Sequence, residues 1–130
     1  STFEPIKLIT DDTHDDEDIP AVTMGWGTTS YGGSSSNVLL EVDVPITSHY
    51  TCDVQYGNGV TNNMICAGYE DGGYDSCQGD SGGPMFGNYG KNKTSILIGI
   101  TSWGVGCAWD GFPGVYTKVG NYVKWIYKNI

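Results

Sequence analysis

The stretch Asp75-Ser76-Cys77-Gln78-Gly79-Asp80-Ser81-Gly82-Gly83-Pro84 decides the reading of this chain. It sets one hydroxyl residue, Ser81, among glycines and acids. Gly79 has no Cβ, so the backbone can turn sharply there and point an N–H outward. The N–H groups of Gly79 and Ser81 can then converge in front of the Ser81 hydroxyl. Acyl transfer needs two such donors to hold a developing oxyanion, and losing one costs about 3–4 kcal/mol of barrier. Asp80, if buried, needs a cation, because an unpaired buried carboxylate is too costly. Gly82 and Gly83 let the chain leave the turn without covering Ser81.

Further blocks follow a fixed order around this stretch. They are Gly25-Trp26-Gly27, Met64-Ile65-Cys66-Ala67-Gly68, Ser102-Trp103-Gly104, Gly106-Cys107 and Pro113-Gly114-Val115-Tyr116-Thr117. Together the blocks resemble the trypsin-like serine peptidases of the chymotrypsin fold, in that family's order and near its spacing. A glycine-rich turn on an unrelated β-protein would explain the serine stretch but not the ordered set.

Composition fits that class. The 130 residues suit one domain or one large piece of a domain pair. Twenty glycines, nine tyrosines and few charges suit an all-β domain with many tight turns. The net charge of −9, with six lysines and no arginine, argues against nucleic-acid binding. Asp11, Asp12, Asp15, Asp16, Glu17 and Asp18 hold six of the fifteen acids. That run reads as a solvated loop. Its spacing does not match a calcium-binding EF-hand, so no metal is expected, and no cofactor is implied. No apolar run approaches the ~20 residues of a membrane span. No signal peptide stands at the start, so a mature or processed chain is expected.

Four cysteines, Cys52, Cys66, Cys77 and Cys107, favour disulfides in an oxidising, extracellular compartment, and sequence alone leaves three pairings open. The resemblance implies Cys52–Cys66 and Cys77–Cys107. Asn92-Lys93-Thr94 is an N-glycosylation sequon in a turn-rich stretch, which makes Asn92 a candidate glycan site.

Alternation and turn residues predict an all-β chain with a C-terminal helix. Ala21–Gly27 reads as a strand with Val22, Met24 and Trp26 on one face. Val38–Ile46 alternates Leu40, Val42 and Val44 against Glu41 and Asp43. Ser48 is placed to cap a short helix reaching about Tyr56. Met64–Ala67, Pro84–Phe86, Thr94–Trp103 and Pro113–Val119 complete six strands, with Ile96, Ile98 and Ile100 sharing a face. Val123, Ile126, Tyr127 and Ile130 stand at helical spacing in Tyr122–Ile130. The resemblance makes this the second six-stranded antiparallel barrel of the two-barrel fold. It makes residues 1–20 the inter-barrel linker with its acidic loop, 21–119 the barrel and 120–130 the helix.

The resemblance also assigns roles. Ser81 is the nucleophile, and the Gly79 and Ser81 amides form the oxyanion hole. Asp75 is the floor of the specificity pocket, with Gly104 and Gly114 as its open walls. Ser76 and Tyr116 help solvate a bound cation. Ser102, Trp103 and Gly106 complete the pocket, and Ser102–Gly104 offers a backbone edge to the substrate. A carboxylate in a narrow pocket selects Lys or Arg before the cut bond. Asp80 awaits the activating amine.

Half of the machinery is absent from the sequence. A serine hydroxyl needs a general base, and the base an orienting acid. His14 lies in the acidic run and His49 at a helix start, and neither has the family's context for the base. The chain opens on Ser-Thr-Phe and not on the family's Ile-Val-Gly-Gly. The expectation is therefore the C-terminal half of a secreted two-chain peptidase. Its partner, held non-covalently, carries His, Asp and the amine. An acidic two-chain trypsin is similar to the fibrinolytic lumbrokinases. The rival readings are a catalytically inactive homologue acting as a binding protein, and a degradation fragment whose lone barrel exposes apolar surface.

Overall fold

The computed structural model describes residues 3–10, 19–28, 32–69, 77, 80–89, 91–104 and 112–130. Alternating apolar and β-branched residues build seven strands. These are β1 (Lys7–Leu8), β2 (Pro20–Gly25), β3 (Leu40–Pro45), β4 (Met64–Ala67), β5 (Pro84–Tyr89), β6 (Thr94–Trp103) and β7 (Gly114–Lys118). Two short helices, α1 (His49–Gln55) and α2 (Val123–Lys128), complete the elements with a 3-10 turn at Val119–Asn121.

The strands form one sheet in the order β3-β2-β5-β6-β7-β4. Every pairing along that path is antiparallel. Its two ends meet. Ile46, just past β3, bridges Ala67 at the end of β4. The Thr47 amide donates to the Cys66 carbonyl at 2.9 Å, and the Gly68 amide to the Pro45 carbonyl at 2.9 Å. The sheet thus curls into the six-stranded antiparallel barrel that the sequence predicts, and closing removes a free edge. The addition is β1, which lies parallel to β6 with Lys7 opposite Ile96. Part of the expected linker therefore joins the sheet, with Ile9 buried beneath it.

The core is Val44, Ile65, Met85, Ile98, Tyr116 and Val119, with Ile96 and Ile100 packed against it. On β2 Val22, Met24 and Trp26 share a face as expected, and it is the less buried one. Ala21 and Thr23 are buried, while Val22 and Met24 are only partly covered and Trp26 is 58% exposed. The alternation holds, but the interior is already filled by Met85, Ile98 and Tyr116, so β2 turns its small residues inward. The C-terminal helix is also shorter than predicted. Only Val123 and Ile126 of its apolar set reach the core, whereas Tyr127 and Ile130 are exposed. The 3-10 turn shifts the helix start to Val123 and takes the stripe out of phase with the barrel.

Helix α1 forms as its cap predicts. The Ser48 side chain accepts from the Thr51 amide at 3.3 Å, a contact worth ~1 kcal/mol. The Cys52–Cys66 disulfide ties α1 to β4. Val60 and Val115 bury that bridge, with Tyr56 and Met64 packed around it.

Candidate active site

Ser81 sits in a tight turn ahead of β5. The Asp80 amide donates to the Cys77 carbonyl at 3.0 Å, and the Gly83 amide to the Asp80 carbonyl at 2.9 Å. Gly82 adopts φ of 82°, a left-handed conformation that strains any side chain. Two further bonds pin the turn to β6. The Gly82 amide donates to the Thr101 carbonyl and the Thr101 amide to the Gly83 carbonyl, each at 2.9 Å. Ser81 is left exposed.

The Asp80 carboxylate points back beneath this turn. One oxygen accepts from the Gly27 amide at 2.8 Å, the other from the Cys77 amide at 2.9 Å. Bonds from N–H groups to an ionised acceptor are stronger than neutral ones. This explains Gly25-Trp26-Gly27 in physical terms. Gly27 supplies a donor, and Gly25 supplies room. A Cβ on Gly25 would land on the carboxylate, with the carboxylate carbon 2.9 Å away.

Cys77 is disulfide-bonded, and its sulfur accepts from the Thr28 hydroxyl at 3.1 Å. Its implied partner Cys107 lies outside the described residues. So do Asp75, Ser76, Gly79 and Gly106, and the acidic run with His14. Asn92 is exposed in the turn leading into β6.

The other residues expected in the pocket from the sequence come together at one end of β6 and β7. Trp103 pairs with Val115, and Thr101 with Tyr116, across a register shift between Thr101 and Trp103. Such a bulge re-aims side chains, and here it falls beside Ser102. Gly104 faces Gly114: a Cβ on Gly104 would stand 3.8 Å from the Gly114 Cα and 3.4 Å from the Tyr56 hydroxyl. Ser102 and Trp103 are exposed, and Tyr116 is fully buried. His49 is not near this end by any described contact. It opens α1 and lines a groove with Thr47, Asn62, Lys118 and Asn121.

Two residues that sequence reasoning missed belong here. Tyr56 meets Trp103 edge-on, with ring centroids 4.8 Å apart, and Phe112 at 5.5 Å. Its hydroxyl donates to the Pro113 carbonyl at 2.6 Å. It therefore ties the end of β6 to the approach to Gly114. In the sequence it reads only as the end of a helix. The second is Thr101, whose side-chain oxygen is buried with no hydrogen-bond partner, as are the Thr47 hydroxyl and the Gln55 carbonyl. Such a group costs about 1–3 kcal/mol.

A family model described as "Trypsin" matches residues 1–126. The chain belongs to the trypsin family. The "Trypsin" of Saccharopolyspora erythraea is 50% identical to it over 119 residues, which is 91% of this chain and 50% of that protein. The "Anionic trypsin" of Bos taurus is 53% identical over 107 residues, 82% of this chain and 41% of that protein. The "Proclotting enzyme" of Tachypleus tridentatus is 52% identical over 109 residues, 82% of this chain and 28% of that protein. The chain thus spans half or less of the length of these relatives. Within the trypsin family its barrel is the C-terminal one of the chymotrypsin fold, closed by the C-terminal helix. The Cys52–Cys66 disulfide is part of this barrel.

Proposed function

We propose that this chain is the serine-bearing half of a trypsin-like endopeptidase that cleaves after Lys and Arg. The observation that carries the proposal is the pinned turn at Asp80–Gly83. Four backbone bonds and two carboxylate bonds hold it while Ser81 stays exposed. Nucleophiles need that fixed geometry, because a misplacement of ~1 Å costs on the order of a hundredfold.

The missing half supplies the base. Neither His14 nor His49 has the family's context for the base, and we assign His, Asp and the activating amine to a second, non-covalently held chain. The partner His takes the Ser81 hydroxyl proton as the oxygen bonds to the peptide carbonyl carbon. The Gly79 and Ser81 amides hold the oxyanion. The protonated His then gives its proton to the leaving nitrogen as the C–N bond breaks. Water, deprotonated by the same His, attacks the acyl-enzyme and releases the acid and free Ser81. Asp75 at the pocket floor pairs with the basic side chain between Gly104 and Gly114, with Ser76, Ser102, Trp103, Gly106 and Tyr116 completing the walls. The activating amine approaches the Asp80 carboxylate, already oriented by Gly27 and Cys77.

The Cys52–Cys66 bridge and a disulfide-bonded Cys77 fit an oxidising compartment, so we assign the chain to the extracellular space. Exposed Asn92 is the proposed glycan site, checked by a mass loss after glycosidase that Asn92→Gln removes. Fibrin is the protein substrate to assay first, in keeping with the acidic two-chain lumbrokinases.

The test uses the assembled protein on matched peptides. Wild type should cleave after Lys and Arg, Ser81→Ala should not cleave, and Asp75→Ser should lose the basic preference. Activity that survives Ser81→Ala overturns the proposal. So does an assembled protein without activity, which is the result expected of a binding homologue.

A further inference from the structure

We propose that a glycan on Asn92 shields this chain from self-cleavage at two bonds, Lys91–Asn92 and Lys93–Thr94. This rests on the peptidase reading above and adds a control on it. A peptidase that cleaves after Lys and Arg can cut its own chain here only at six lysines, since no arginine is present. All six lie among the described residues.

Four of them stand in ordered elements. The Lys7–Leu8 bond is β1 itself, held against β6 beside buried Ile9. Lys118 ends β7, and its amide donates to the Asn63 carbonyl at 2.8 Å. Lys124 and Lys128 belong to α2, and the Asn129 amide that follows donates back to the Ile126 carbonyl at 3.0 Å. Lys91 and Lys93 differ. Both are exposed in the turn between β5 and β6. Lys93 has φ of 52°, a left-handed conformation outside the ladder. The strands pair as far as Tyr89 and Thr94, and the Ser95 hydroxyl donates to the Asn88 side-chain oxygen at 2.9 Å just below the turn. Exposed loop tips are preferred sites of proteolytic nicking, because local opening there costs little free energy.

Exposed Asn92 stands between the two lysines. It directly follows the first bond at risk and directly precedes the lysine of the second. A cleft that takes its substrate as an added strand must admit the residues beside the cut bond. An N-glycan is bulky, and Asn92 carrying one does not fit such a cleft. One modification therefore covers both bonds. A cut at either would separate β5, which follows the serine turn, from β6, whose Thr101 holds that turn through Gly82 and Gly83.

The experiment compares wild type, Asn92→Gln and Thr94→Ala in the assembled protein, made in a host that glycosylates. The two variants remove the sequon at different residues, and matched melting curves show that neither acts by unfolding; Asn92→Gln decides if Thr94→Ala melts lower. Self-digestion is followed on reducing gels, and new chain ends are identified by mass spectrometry. Wild type should carry the glycan on Asn92 and stay whole at both bonds. The variants should lose intact chain and show ends at Lys91 and Lys93. Adding Lys91→Gln and Lys93→Gln to Asn92→Gln should abolish those ends. Added bovine trypsin separates the two claims. Variants that added trypsin nicks at these bonds but that never nick themselves defeat the peptidase reading. Variants left whole there by both defeat this inference, as does a wild type with a bare Asn92 or one cut there as fast as the variants.

Discussion

Gly25→Ala should damage the protein through one residue, Asp80. The added methyl would occupy the space of the Asp80 carboxylate, with the carboxylate carbon 2.9 Å away and the Asp80 Cβ at an ordinary 3.5 Å. The carboxylate must then leave the Gly27 and Cys77 amides that hold it at 2.8 and 2.9 Å. Hydrogen bonds to a charged group contribute about 1.5–3 kcal/mol each. Water replaces part of that at a half-buried site, so the expected loss is ~2–4 kcal/mol. For a domain of this size that lowers Tm by on the order of 10 °C. The assay is a double-mutant cycle by denaturant unfolding. Asp80→Ala alone should cost about as much as Gly25→Ala alone. The double variant should be no worse than Asp80→Ala, because the clash has gone and alanine suits a strand end better than glycine by ~0.5 kcal/mol. If the two losses add, the methyl acts through something other than Asp80 and this reasoning fails.

Other perturbations separate the parts of the site. Replacing Cys52 and Cys66 with alanine opens a loop of sequence separation 14. It should cost ~3 kcal/mol, read by urea unfolding, with a reduced wild type losing more because reduction also opens the bridge at Cys77. Tyr56→Phe removes the bond to the Pro113 carbonyl but keeps the ring contacts, and kcat/KM on Lys or Arg peptides should fall about three- to tenfold, the range of one hydrogen bond. Gly83→Ala places a Cβ 2.8 Å from the Asp80 carbonyl and 3.2 Å from that of Met24. Backbone cannot yield as a side-chain tip does, so stability should drop by more than ~2 kcal/mol and activity by at least tenfold; melting curves and peptide kinetics check both.

Much of this architecture was legible in the sequence because local rules agreed with the global fold. Ser48 caps α1, and the Ile96–Ile98–Ile100 alternation marks β6, as the pattern predicts. The serine turn was legible because its glycines answer to backbone geometry, as φ at Gly82 shows. What stayed hidden depends on who fills the interior. Periodicity places Val22, Met24 and Trp26 on one face but cannot say that Ala21 and Thr23 face the barrel. The parallel strand Lys7–Leu8 is two residues long and exists only because β6 has a free side there. Tyr56 and Thr101 carry no spacing signal. Their roles come from contacts between residues 57 apart for Tyr56 and Pro113, and from a ladder register for Thr101.

The most direct measurement is covalent. The native protein, with whatever chain accompanies it, is treated with a serine-directed phosphonyl fluoride and digested for mass spectrometry. The adduct should fall on Ser81 alone and should not form when a basic-residue analogue such as benzamidine fills the pocket. An unmodified Ser81 in the native, complete protein, or an adduct on another serine, would contradict the claim that this turn presents a catalytic nucleophile.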